Sequence, residues 1–223
     1  MKFSKSRNIG VFGDVKDTGI PVSVWRYYLI SSRPDTSDSI FTWKEFITGI
    51  ILNCWPILKV NHVMKFVAAK YDGTLPSFSC DSESEQTLIK NINNLLANYI
   101  EALENIKLHA GLEIAMEIHD RAMVICRNQN SITLCLPTVL RNAIRPYMPS
   151  VTEPIVHQLN ASLRNIPDTF IMDIEAGHQI DKAEYLFKRI DEKIAEEFSK
   201  KFAGESRDDK KKQQKKRLRL LIM

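Results

Sequence analysis

Two stretches of this sequence hold the residue types that handle phosphate. Lys2-Phe3-Ser4-Lys5-Ser6 sets two ammonium groups and two hydroxyls within five residues. Such donors can stabilise negative charge developing on phosphate oxygens, although the plain reading of so short a run is a solvated basic N-terminus. The second stretch is Lys210-Lys211-Lys212-Gln213-Gln214-Lys215-Lys216-Arg217-Leu218-Arg219. It can neutralise several phosphates in a sequence-independent, salt-sensitive way. Equally, it can serve as a nuclear-import address or simply solubilise a disordered end. Metal chemistry is poorly served. Cys54, Cys80, Cys126 and Cys135 include no C-x-x-C pair, so the zinc-ribbon signature is missing and no metal site is expected. Widely spaced cysteines without an N-terminal apolar leader point to reduced thiols in a cytoplasmic setting.

These residues need a framework, and composition bounds it. The 223 residues suffice for one large domain or two small ones, and 44 % apolar with 26 % charged residues is ordinary for a soluble globular chain. A net charge of +4 is mildly basic, short of a dedicated nucleic-acid binder. Eight glycines are too few for a complete doubly wound α/β enzyme, whose phosphate loops need positive φ. The most apolar run, Ile47 to Leu58, is too short to span a bilayer and is broken by Asn53 and Pro56.

Periodicity predicts a mainly α-helical chain. Val22 to Ile30 reads as a short packed helix between turns, Ser37 to Phe41 as a short strand, and Thr42-Trp43-Lys44-Glu45 as a capping box that opens the next helix. Leu88, Ile92, Leu95, Leu96, Tyr99, Ile100, Leu103 and Ile106 form one amphipathic stripe, with Ser82 and Glu85 as a second capping box. Gly111 is read as the break, after which Leu112, Ala115, Met116 and His119 begin another face, giving two antiparallel helices. Leu186, Phe187, Ile190, Ile194, Phe198 and Phe202 repeat the theme. Two segments conflict with their surroundings. Pro56 falls where a third helical turn should run, and Ala122 to Leu136 replaces a helical pattern with a patternless mixture.

Lys2-Phe3-Ser4-Lys5-Ser6 resembles the K-M-S-K-S signature of class I aminoacyl-tRNA synthetases. The likeness continues through Gly10-Val11-Phe12-Gly13, Ser23-Val24-Trp25-Arg26-Tyr27-Tyr28-Leu29, Arg33-Pro34, Phe41-Thr42-Trp43, Met64-Lys65-Phe66-Val67, Pro146-Tyr147-Met148-Pro149-Ser150 and Gly177-His178-Gln179-Ile180. In order and spacing these resemble the cytosolic, fungal-like methionyl-tRNA synthetases over about residues 1–202. The resemblance implies a C-terminal part of that enzyme. It comprises the signature loop with a short α/β stem-contact segment at 1–42, an anticodon-binding-type helical bundle at 43–203, and a basic disordered tail at 204–223. The family reaction is ATP-dependent ligation of methionine to its tRNA, with Mg2+. By resemblance Lys5 is the catalytic phosphate contact, with Lys2, Phe3, Ser4 and Ser6 completing the ATP-binding loop. Arg26, Asn61, His62, Lys215 and Arg217 are the tRNA-binding candidates. The implied partners are methionine-accepting tRNA and proteins of a synthetase complex, with no membrane. The family's nucleotide fold with its H-I-G-H motif would lie upstream of Met1. Its absence here leads to the expectation that this polypeptide neither holds ATP nor aminoacylates by itself, which leaves its standing as an enzyme open.

The likeness fails at the same two segments that break the helical pattern. The family's first anticodon-domain helix reads near Arg-Asn-Asn-Ser-Glu-Leu-Leu-Ala-Asn-Leu-Gly-Asn. Plausible codons for it, read one base later, translate as Gly49 to Leu58 of this chain. The same shift of family-like codons yields Ala122 to Leu136, and a deletion of roughly one helix is inferred before Pro146. Two local frameshifts would replace the Asn-bearing stretch and leave His62 at the family's Arg position, with no equivalent of its aromatic anticodon reader after Asp120. A non-catalytic tRNA-binding module and a degenerate gene copy are therefore the rival readings.

Overall fold

The computed structural model describes residues 18–33, 41–53, 55–76, 82–128, 142–161, 166–171, 174–184 and 193–202, with the backbone alone at 50–53, 55–62, 122–128 and 193. Seven helices carry the described chain: α1 (Val22–Ser31), α2 (Trp43–Asn53), α3 (Trp55–Tyr71), α4 (Glu83–Glu104), α5 (Leu108–Asn128), α6 (Pro149–Gln158) and α7 (Lys193–Lys201). Among the described residues there is no strand, only an isolated antiparallel bridge between Thr74 and Gln179. The fold is mainly α, as the periodicity implies. Of the strand expected at Ser37–Phe41 only Phe41 is described, and it lies in no strand; residues 129–136 of the segment read as frameshifted lie outside the described residues.

Local chemistry explains where the helices start. Glu45 N–H donates to Thr42 Oγ1 over 3.1 Å at the start of α2. At α4 both halves of the capping box are made, Glu85 N–H to Ser82 Oγ and Ser82 N–H to Glu85 Oε2 (3.1 Å). Pro56 corrects an expectation. It does not interrupt a helix, because α2 ends at Asn53 and α3 begins at Trp55. Pro56 thus sits in a first turn, where a backbone N–H has no intrahelical acceptor to lose.

Two further expectations change along the α4–α5 hairpin. Gly111 is not the break but lies inside α5, and Ile106 is not on the buried stripe but in the turn, 74 % exposed, with φ of 59°. The break falls at residues 105–107, where Lys107 N–H bonds Ala102 O (2.8 Å) and Ile106 N–H bonds Leu103 O (2.9 Å). That bonding closes a helix with a left-handed residue. The remainder of the stripe behaves as the spacing predicts: Leu88, Ile92, Leu96 and Tyr99 are buried, with Leu95, Ile100 and Leu103 partly so.

The main core draws on every helix. An aromatic group unites α1, α2 and α7: Trp25 stacks on Phe46 at 4.1 Å between centroids, and Trp43 meets both Phe198 (5.0 Å) and Phe202 (5.3 Å). Met64 and Val67 of α3, Leu112 and Ala115 of α5, and Val151 and Ile155 of α6 continue it. The segment 174–181 then ties α3 to α6. Leu75 N–H bonds His178 O and Ile180 N–H bonds Gly73 O, each over 2.9 Å, while Asp181 N–H bonds Gln158 O over 2.8 Å. His178 Nε2 completes the tie by donating to Leu159 O over 2.7 Å. No helix among the described residues is long and apolar enough to cross a membrane.

Candidate functional site

Of the residues singled out by the sequence, Lys2, Phe3, Ser4, Lys5, Ser6, Lys215 and Arg217 lie outside the described residues. Arg26 stands exposed on α1, and its Nε donates to Pro146 O over 3.1 Å. This bond fastens α1 to the turn that precedes α6. Asn61 and His62 belong to α3, where only their backbone is described.

The buried end of α3 fixes how that helix is held. Val63, Met64 and Val67 are all 7 % exposed or less, so one side of α3 is committed to the core. Phe66 is apolar but 39 % exposed and is not part of that core. Lys70, one turn later, holds its Nζ 5.2 Å from the Phe66 ring centroid and 5.3 Å from that of Tyr71. The two rings meet edge-on, 6.1 Å apart at an interplanar angle of 78°. Sequence reading missed this group, since a phenylalanine within an apolar helix counts as core by type; its place off the Val63–Met64–Val67 side was the available signal.

A second feature is an open groove of about 690 Å³ between α1 and α5. Tyr27, Leu112 and Met116 line it together with Glu113, Glu117 and Asp120. Glu117 is engaged with Arg121 at 2.6 Å, and the Ser31 carbonyl accepts from His109 Nε2 over 3.0 Å. Three carboxylates against one guanidinium oppose the approach of phosphate, so this groove suits neither a nucleotide nor an RNA backbone.

The core also holds a buried pair of phenols, Tyr99 and Tyr147. Tyr99 Oη donates to Ala143 O over 2.8 Å, and the Tyr147 hydroxyl lies beside it. Burial pushes the Tyr147 phenol up to about 12, with the neighbouring Tyr99 hydroxyl acting in the opposite direction. Burial, and then Tyr147 itself, raise Tyr99 further. Burial also raises Tyr28, offset by Ser32 and reinforced by Glu45. These are packing groups of the core.

Comparison with known proteins places this architecture. Residues 1–53 match the family model of class I (M) tRNA synthetases, and residues 116–207 match that of the anticodon binding domain of methionyl tRNA ligase. A helical bundle bearing those two matches in that order defines the C-terminal region of a class I aminoacyl-tRNA synthetase. The chain is 42 % identical over 230 residues to the probable cytoplasmic methionine–tRNA ligase of Schizosaccharomyces pombe, covering 91 % of this chain and 29 % of that protein. It is 39 % identical over 227 residues to the cytoplasmic methionine–tRNA ligase of Saccharomyces cerevisiae, covering 92 % and 30 %. Over the length it shares with them, the chain belongs to the methionine–tRNA ligase family. The chain spans less than a third of those relatives. The fold also resembles the free form of the Mycobacterium tuberculosis methionyl-tRNA synthetase, with a TM-score of 0.66, 16 % identity and coverage of 76 % of this chain and 39 % of that one.

Proposed function

We propose that this chain supplies the tRNA-binding region of a cytoplasmic methionine–tRNA ligase. The observation that carries the proposal is the order of the two family matches, 1–53 and then 116–207, on one chain. The family reaction joins methionine to tRNA at the expense of ATP, with Mg2+. In this reading Lys5 is the catalytic phosphate contact of an ATP-binding loop formed by Lys2, Phe3, Ser4, Lys5 and Ser6, where ammonium and hydroxyl donors meet the charge that builds as pyrophosphate leaves. Residues 1–42 form that loop and the stem-contact segment, 43–203 the anticodon-binding-like domain, and 204–223 the basic tail. Arg26, Asn61 and His62 contact tRNA, while Lys215 and Arg217 add salt-sensitive affinity. Proteins of a synthetase complex are the further partners.

The chain alone does not aminoacylate, because the functions of methionine capture and of half the ATP site fall to parts of the relatives it does not span. The test is twofold. Filter binding of methionine-accepting tRNA to the purified chain should be submicromolar at low salt and fall steeply as salt rises; no retention at low salt would overturn the reading. Methionine-dependent ATP–pyrophosphate exchange should be absent, and its detection would overturn the claim of inactivity.

One observation favours a second reading, a degenerate gene copy. The alignment to the fission-yeast protein runs over 230 residues, more than the 223 of this whole chain, yet covers only 91 % of it. The relative therefore has residues that this chain lacks within the matched region, as a deletion before Pro146 requires. Sequencing the transcript across the codons for residues 46–64 and 119–148 separates the readings. A restored family frame supports the ligase, and a confirmed shifted frame supports the degenerate copy.

A further inference from the structure

We propose that Phe66, Lys70 and Tyr71 form a stacking platform for an unpaired nucleobase, with Phe66 as its π-face. The proposal rests on the reading of α3 as an RNA-facing helix and names a contact that reading does not include. Its physical basis is the mismatch between residue type and place. Val63, Met64 and Val67 satisfy the core, yet the helix sets a large aromatic ring at 39 % exposure beside them. Exposing a phenylalanine forgoes the gain from burying it, so the ring's place off the core side is a cost unless a ligand covers it.

The neighbouring cation narrows the ligand. Lys70 is the residue in that group with a full charge, and among the described residues it faces two aromatic rings, at 5.2 and 5.3 Å, rather than a carboxylate. A cation over a ring is held by the ring's quadrupole and keeps its charge available to a second partner. Aromatic faces combined with fixed cations are the arrangement by which proteins hold single-stranded nucleic acid, the ring taking the base and the cation the phosphate. A peptide or lipid partner would be expected to cover several large apolar side chains, whereas within residues 63–71 Phe66 is the large apolar side chain that α3 exposes, beside the small Ala68 and Ala69 and the charged Lys70. The backbone adds register: positions 62, 66 and 70 follow one another at i, i+4 and i+8 along α3, which on a helix is one row. Phe66 and Lys70 thus offer in succession a stacking face and a charge.

The experiment uses the full 223-residue chain and a short single-stranded RNA carrying 2-aminopurine, whose fluorescence is quenched on stacking. Phe66→Leu should lower affinity at least about fivefold and remove the quench, leaving the slope of log affinity against log salt unchanged. Phe66→Trp should retain both affinity and quench. Lys70→Gln should lower that slope by about one. Wild-type binding that Phe66→Leu does not weaken overturns the platform, and so does equal weakening by Leu and Trp, which would mean packing rather than stacking. A wild-type chain that binds no RNA overturns the tRNA-binding function itself, so the two failures are distinguishable.

Discussion

Gly111 shows how a single residue can be fixed by the space it leaves. A Cβ at this position would lie 2.5 Å from Tyr147 Oη and 3.2 Å from Leu103 Cδ2. Tyr147 is 1 % exposed and cannot swing away. Gly111→Ala would gain about 1 kcal/mol of helix propensity, but overpacking a rigid core costs about 1–3 kcal/mol. We expect net destabilisation, and the double variant Gly111→Ala, Tyr147→Phe should recover part of it because the colliding atom is gone. Equal stabilities of the single and double variants in urea melts would contradict this account. Together with the more strongly raised Tyr99, the same phenol contributes to the alkaline limit. Its folded value near 12 lies above the ordinary 10.0, so the unfolded chain ionises first. Its contribution to stability is therefore intact below pH 10 and lost as pH climbs through about 12. Denaturation midpoints should fall over that window, and Tyr147→Phe should make the fall shallower; an equal fall in both proteins would sink the assignment. Sequence spacing put Tyr99 on the buried stripe, but the Tyr99–Tyr147 pairing joins positions far apart in the chain and no local pattern reveals it.

The helix ends offer a matched comparison within one molecule. α4 and α6 both close with a left-handed residue, Ile106 at φ 59° and Asn160 at φ 48°. At α6, Ala161 N–H reaches Val156 O and Asn160 N–H reaches His157 O, the same pair of bonds that closes α4. Asparagine tolerates this conformation, whereas a β-branched side chain pays about 1–2 kcal/mol for it. Ile106 is exposed and gains little burial in return. Ile106→Gly should therefore stabilise the protein by roughly 1 kcal/mol, read as a higher thermal midpoint, and a lower midpoint would refute the strain. This end also shows why sequence reading misplaced the turn. Ile106 follows Leu103 at three-residue spacing, so periodicity counts it as helix, while Gly111 attracts the break by its low propensity. Propensity is local, and packing against Tyr147 overrides it. Pro56 is the converse: a residue that seems to destroy one helix opens another, because its missing N–H is harmless in a first turn. Long amphipathic elements such as α4 were legible; boundaries, and a candidate site made by an exposed ring among apolar neighbours, were not.

At the scale of the whole molecule, the question is whether the described helices behave as one folded body. Phe46 is the sharpest probe. It is fully buried, and its ring meets Trp25 at 4.1 Å, Tyr28 at 4.8 Å, Phe41 at 5.6 Å and Trp43 at 5.8 Å. Through Trp43 it also supports Phe198 and Phe202, and so the docking of α7. Because one core cluster runs from Trp25 of α1 to Ile155 of α6, loosening its centre should be felt throughout. Phe46→Ala should cost about 3–5 kcal/mol, which for a chain of this size lowers the midpoint by roughly 6–20 °C. Near-ultraviolet dichroism from Trp25 and Trp43 and far-ultraviolet dichroism from the helices should melt together in the wild type, and should move together in the variant. A working tRNA-binding region requires that coincidence, since the proposed contacts on α1 and α3 can act on one RNA only if the two helices are held in one arrangement. Helices that persist after the tryptophan signal is lost would instead describe an expanded chain with fluctuating packing. That is the behaviour expected of a degenerate copy in which shifted segments no longer specify their neighbours, so this one melt weighs the two functional readings before any RNA is added.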